Sequence, residues 1–249
     1  MPEIEWFTLF FAIFSIFIGS FIKGLIGFGL PVIVTPILIF FLPLPEIITL
    51  QLLPICVSNI QQCWLTRKHA KLLKIFWPMI AANMIILFFG SQVLVTLNTI
   101  ILMPIIGILI ILQALMADMT FFKDNKRNKN PILIVLSGIA SGVLGSISSF
   151  FAFPSIQLIF SMQLKREEFV FIVGFLLSTG FISLWTGITL NGYDMFDKLP
   201  LSFFLIVPTI IGVWLGNLTR NAFSPNWFKI GVKGMLILTG LTLITKNIL

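Results

Sequence analysis

Charge is scarce in this sequence: 10% of its 249 residues are Asp, Glu, Lys or Arg, against about 25% in an ordinary soluble domain. Histidine occurs once, as His69, and cysteine twice, as Cys56 and Cys63. That scarcity leaves no material for a metal centre or a catalytic dyad, so no catalytic residue, metal or cofactor is expected. The two cysteines stand seven apart on one expected helix, about 10 Å between Cα atoms, which is too far for a disulfide. No acid falls inside an apolar run where it could relay protons; Asp118, Glu167 and Glu168 lie at run ends beside bases. A long polar stretch is also missing. The longest surrounds Phe121 to Pro131, which leaves no room for a water-soluble catalytic domain.

What is abundant is apolar sequence. Hydrophobic residues make up 58% of the chain, in runs that repeatedly reach the roughly 20 residues needed to cross a hydrocarbon core of about 30 Å. Bounded by charge, Gly or Pro, they fall at 4–23, 30–42, 47–66, 74–95 and 99–118, then at 131–145, 149–162, 168–189, 200–219 and 226–247. The expected fold is all-α, a polytopic membrane protein of 8–10 helices. Some runs are short, since 15 helical residues reach only about 22 Å. The first run has no basic leader or cleavage site, and Glu3 and Glu5 precede it. It is therefore read as a retained helix rather than a signal peptide.

A net charge of +7 and a pI near 9.7 would suit nucleic acid, but the basic residues sit in short loops between apolar runs, so no nucleic-acid partner is expected. Placing the 67–74 loop, with Arg67, Lys68, Lys71 and Lys74, in the cytoplasm fixes the side of every other loop. Fourteen of the sixteen Lys and Arg then fall inside, namely those four with Lys23, Lys123, Lys126, Arg127, Lys129, Lys165, Arg166, Arg220, Lys229 and Lys233; Lys198 and Lys246 fall outside. Both termini face outward, together with Glu46, Asp194 and Asp197.

The chain also repeats. At a shift of 118 residues Gly24, Gly27 and Pro36 fall on Gly142, Gly145 and Pro154. Three extra loop residues then bring Ser58, Gln62 and Trp64 onto Thr179, Ser183 and Trp185, and Gly90 and Gly107 approximately match Gly216 and Gly234. The division is a first repeat at 1–120, a basic cytoplasmic linker at 121–131 and a second repeat at 132–249. Five segments per half is an odd number, so the second half runs through the membrane upside down. Inverted repeats mark secondary transporters, whose substrate lies near the midplane where Gly- or Pro-interrupted helices meet. Here the interruptions are 23–36 and 141–154. The first two segments of each half either cross fully or form a re-entrant hairpin. Lys23 distinguishes these, at the cytoplasmic surface in the first case and deep in the membrane in the second.

Around Lys23, Gly24, Gly27 and Gly29 the backbone can approach a ligand, and the following helix start favours an anion. The matching stretch carries Gly142, Gly145, Ser146, Ser148 and Ser149, whose hydroxyls can donate to an oxyanion. Small residues that merely let membrane helices pack closely explain the same pattern. The third segment puts Gln51, Ser58 and Gln62 on one face beside Asn59; its counterpart offers Thr179, Ser183 and Thr186. Such a stripe lines a cavity or bonds between helices.

These residues, Gly24-Leu-Ile-Gly27-Phe-Gly29 with Pro36 and Gly142-Val-Leu-Gly145 with Pro154, resemble the TauE/SafE sulfite exporter family, also called TSUP, over essentially the whole chain. The resemblance implies an inner-membrane transporter of sulfite, organosulfonates or thiosulfate. Ile147 and Ser148 depart from it, standing where a glycine pair is common. The substrate set taken forward is Lys23, Gly24, Gly27, Gly29, Ser58, Asn59, Gln62, Gly142, Gly145, Ser146, Ser148, Ser149 and Thr179. The partners are a small anion and the bilayer, and a homo-oligomer is compatible with both. An ion or solute channel, and a membrane-embedded enzyme or assembly factor, are the competing functional readings.

Overall fold

A computed structural model describes residues 6–96, 99–116, 130–194, 196–219 and 225–245. The linker cations Lys123, Lys126, Arg127 and Lys129, with Glu3, Glu5, Asp118, Arg220 and Lys246, lie outside the described residues, as does the side chain of Lys229. All regular structure among the described residues is helical. The helices are α1 (Trp6–Ile26), α2 (Leu30–Leu38), α3 (Leu44–Leu65), α4 (Leu73–Gly90), α5 (Gln92–Thr96), α6 (Thr99–Met116), α7 (Pro131–Ser148), α8 (Ser155–Ser161), α9 (Arg166–Leu190), α10 (Leu199–Phe204), α11 (Ile206–Thr219) and α12 (Pro225–Thr245). Short 3-10 turns, Arg67–Leu72 and Phe196–Lys198, precede α4 and α10.

By length and composition four helical stretches can cross a membrane: Trp6–Ile26, Arg67–Thr96, Pro131–Ser148 and Arg166–Leu190. The pair ending in Phe204 and Thr219, bent by 41°, makes a fifth. Helix α3 is long enough at 22 residues, but Gln51, Ser58, Asn59, Gln61 and Gln62 dilute its apolarity. It can carry them because it is a central helix: Leu44 through Leu52 are almost all buried, as are Ser58 and Asn59. Meanwhile Trp6, Phe10, Trp77, Phe89, Phe203 and Trp214 are exposed on the outside, where lipid is their natural solvent.

The packing is reciprocal between the halves. Helix α1 lies on α11 and α7 on α4; α3 lies on α9 and α6 on α12. The first helix of each half thus rests on the fourth of the other, and third and fifth helices pair with their counterparts. Small residues set the crossings. A Cβ added at Gly24 would come 2.9 Å from the Cα of Gly216, one at Gly212 would meet the Phe17 carbonyl oxygen at 2.7 Å, and one at Gly142 would meet the Ile86 Cβ at 2.7 Å. Gly107 and Gly240 approach each other's backbone in the same way, at 2.6 Å. In a bilayer, where apolar surface gains little from leaving lipid, this close approach is what holds helices together.

Ion pairs fix the sense of the central pair. At the end of α3 the turn Arg67–Leu72 reaches the start of α9, with Lys68 to Glu167 at 2.6 Å and His69 to Glu167 and Glu168 at 3.3 and 3.7 Å. At the start of α3, Glu46 meets Lys198, beyond the end of α9, at 3.1 Å. Helices α3 and α9 therefore run antiparallel, with one inter-half ionic contact at each end.

The runs expected at 74–95 and 200–219 are each broken into two helices, and two further differences bear on the chain breaks. Helix α1 continues through Lys23 to Ile26, and the break is three residues, with Gly27 and Gly29 at φ 97 and 121°. In the second half, helix continues through Gly142, Gly145, Ser146 and Ser148, and the break is 149–154 rather than the start of a helix. The reason is local. At the 118-residue shift Ile147 falls on the position of Gly29, where a β-branched residue does not take the glycine's positive φ, and Ser148 Oγ donates to the Leu144 carbonyl at 2.7 Å, so the helix closes one turn later with Ser149 left-handed at φ 62°.

Candidate functional site

Lys23 is the one charged side chain that is buried among the described residues, with 2% of its surface exposed. The single turn from Lys23 to Gly27, whose N–H donates to the Lys23 carbonyl at 2.7 Å, ends α1. Its Nζ donates to Ser58 Oγ at 2.7 Å and to Asn59 Oδ1, both on α3. Ser58 lies 14 residues into α3, about 21 Å from its first turn and about 10 Å from its last. Lys23, three residues before the end of α1, thus reaches α3 about 10 Å short of that helix's end.

Proline shapes this region of α3. Pro54 has no N–H to offer the Leu50 carbonyl, and Ser202 of α10 fills the gap: its hydroxyl donates to that carbonyl at 3.1 Å and accepts from the Leu53 N–H at 3.3 Å. The Pro54 carbonyl in turn accepts the Ser58 hydroxyl proton at 2.6 Å. With its proton committed there, Ser58 Oγ presents lone pairs to Lys23.

No carboxylate faces Lys23 among the described residues. Glu46 is engaged with Lys198, Glu167 and Glu168 with Lys68 and His69, and Asp194 with the Phe196 N–H. Beside the lysine Asn59 Nδ2 is buried without a partner, and so, a turn further along α3 and towards Gly174, is Gln62 Oε1. Buried polar groups are almost always satisfied; here a buried amine has no counter-ion among the described residues and an amide donor next to it is idle.

The two chain breaks meet at a small cavity lined by Phe28, Gly29, Pro31 and Val32 from the first half and Ser149, Phe150, Phe151, Ala152, Leu177 and Phe181 from the second. Ser149 Oγ is buried there without a partner, and Gly29 gives α2 no side-chain cap. Phe151 is held tightly: a Cβ at Gly145 would fall 2.9 Å from the Phe151 Cα, and one at Gly180 2.8 Å from its Cζ and closer still to its Cε2.

The thirteen candidate residues therefore divide. Lys23, Ser58 and Asn59 form one hydrogen-bonded group, with Gln62 a turn away. Gly29 and Ser149 meet across the cavity, Gly27 sits at the adjoining break, and Gly145 backs the cavity's Phe151. Gly24 and Gly142 lie at helix crossings. Ser146 bonds back to the Val143 carbonyl at 2.9 Å beside Gly90, Ser148 to the Leu144 carbonyl at 2.7 Å, and Thr179 to the Phe175 carbonyl at 2.9 Å. Sequence reasoning passed over Pro54, Ser202 and the phenylalanines of the cavity. The proline was the readable signal, because an interruption inside an apolar run orphans a carbonyl that some polar group has to meet.

Compared with known proteins, residues 11–243 match the sequence model of the family described as sulfite exporter TauE/SafE. Neither the curated proteins nor the solved structures give a match.

Proposed function

The chain belongs to the sulfite exporter TauE/SafE family, a family of membrane transporters, and from that membership we propose that it is a secondary transporter carrying a small sulfur-containing anion, sulfite, an organosulfonate or thiosulfate. The observation that carries this reading is the uncompensated Lys23, held by Ser58 and Asn59 in the interior. An anion seated there gives the ammonium its counter-charge and the Asn59 Nδ2 an acceptor. The Gly29–Ser149 cavity, six residues past Lys23 along the chain, is the place where the two chain breaks face each other, and its lining is separate from Lys23 and its partners.

Alternating access is the mechanism. The reciprocal packing of α1 on α11 and α7 on α4, and the antiparallel α3 and α9, suit two halves related by a two-fold axis in the membrane plane. The Glu46–Lys198 pair and the Lys68–His69–Glu167–Glu168 group tie the halves at opposite ends of α3. Opening one end while the other stays closed exposes the site to one side at a time. The clustered Lys and Arg support an inner-membrane orientation with the basic turn Arg67–Leu72 in the cytoplasm and both termini outside.

Counterflow in proteoliposomes tests the reading. Vesicles preloaded with unlabelled thiosulfate or isethionate should take up the labelled anion with saturation. Unsaturable current under the same conditions would favour the channel reading, and no flux of any sulfur anion through folded protein would overturn both.

A further inference from the structure

The sequence offers no membrane carboxylate to carry a coupling proton, but the interior does hold one titratable group, the Lys23 amine. Its surroundings can be counted. A neutral amine has two N–H donors and an ammonium has three. Two acceptors face Nζ, Ser58 Oγ and Asn59 Oδ1. The Ser58 hydroxyl proton is spent on the Pro54 and Ile55 carbonyls at 2.6 and 3.1 Å. The two acceptors meet both N–H groups of the neutral amine and leave only its lone pair open, whereas the ammonium has one N–H and a full buried charge without a partner, the costlier state in an empty site.

We propose that Lys23 takes up one proton with each anion and gives it back on release, which makes this carrier an anion–proton cotransporter. The proposal rests on the anion site described above. The proton comes from the aqueous phase that supplies the anion and bonds to the amine lone pair; the third N–H and the positive charge then meet the anion. On the far side both leave, and the empty carrier returns with a neutral amine bonded to Ser58 and Asn59. For a monovalent anion one proton balances the charge, so the loaded and empty carriers cross with the same net charge.

Other groups do not take this role. Around Lys23, α2 and α11 carry no titratable residue, and α3 brings only the thiols Cys56 and Cys63, both partly buried and free. Among the described residues every acid is outside this region, in ion pairs or turns at the helix ends. A charge that a membrane protein keeps in its interior without a partner is costly and marks an ion pathway; a proton that travels with the anion removes that cost in the empty state.

The test uses the purified full chain in proteoliposomes loaded with a pH-sensitive dye, with isethionate as probe because its sulfonate stays ionised across the working range. In the wild type, external isethionate should acidify the lumen in step with uptake. An acidic exterior should speed uptake at least several-fold, and a potassium-diffusion potential should change it little. The K23R variant should keep a reduced isethionate exchange and lose net uptake and acidification, because a permanent cation cannot return unloaded. Uptake without acidification, driven by potential in the wild type, would overturn proton coupling and leave the anion-carrier reading intact. No isethionate or thiosulfate flux at any pH through folded wild-type protein would overturn both. The wild-type arms decide the matter even where K23R does not fold.

Discussion

Replacing Ser58 with alanine removes one of two acceptors from Lys23 Nζ, whose bond to Ser58 Oγ is 2.7 Å. The side chain is buried, with 2% of its surface exposed, so water does not take the hydroxyl's place freely. A hydrogen bond to an ammonium is worth about 1.5–3 kcal/mol and one between neutral groups about 0.5–1.5 kcal/mol. The anion-bound carrier loses the first and the empty carrier the second, so binding weakens by about 1–1.5 kcal/mol, a loss of about 5- to 13-fold in affinity. Titration of the purified protein with a sulfonate in detergent, by calorimetry or by anion-dependent thermal stabilisation, measures it. Ser178→Ala is the control, since the Ser178 hydroxyl donates only to the Gly174 carbonyl of its own helix at 2.9 Å, and its affinity should match the wild type. An S58A affinity equal to the wild type, or an equal loss in S178A, would refute the assignment of Lys23 to the anion.

Gly142→Leu should lower the melting temperature clearly, because even the first carbon of the new side chain would crowd the Ile86 Cβ and overpacking costs about 1–3 kcal/mol; Gly234→Ala, where no atom lies within 4 Å, should not. Glu46→Lys should loosen the contact with Lys198, and the double change with Lys198→Glu should restore it; the coupling of such a partly exposed pair is about 0.5–1 kcal/mol, readable as a shift in cysteine accessibility at that end of α3. Phe151→Ala should enlarge the cavity shared by Gly29 and Ser149 and let bulkier sulfonates compete for uptake, which a competition assay reports.

The fold was legible to the extent that membrane chemistry writes it in runs. Apolar length gave the helices, because only helices and closed barrels satisfy backbone groups in lipid. The charge pairs could not be read, because Glu46 meets Lys198 and Lys68 meets Glu167 only when two distant turns fold onto α3 and α9. The glycines were ambiguous for a physical reason: Gly24 and Gly142 admit another helix and Gly29 admits a turn at positive φ, and sequence alone does not separate close approach from backbone freedom. Ser58, Asn59 and Lys23 all stood in the candidate set, but the contact between them could not be read, because it forms only when the end of α1 reaches α3. The later break in the second half goes with Ile147 at the position that matches Gly29 and with the bond of Ser148 back to the Leu144 carbonyl.

The most direct test of the anion site is counterflow of labelled isethionate or thiosulfate by the wild type and by Lys23→Gln, with insertion and thermal stability of both checked first. The account predicts saturable counterflow in the wild type and loss of saturable uptake in folded K23Q, since the buried amide carries no charge to meet the anion. Equal counterflow with equal half-saturation in the two proteins would contradict it.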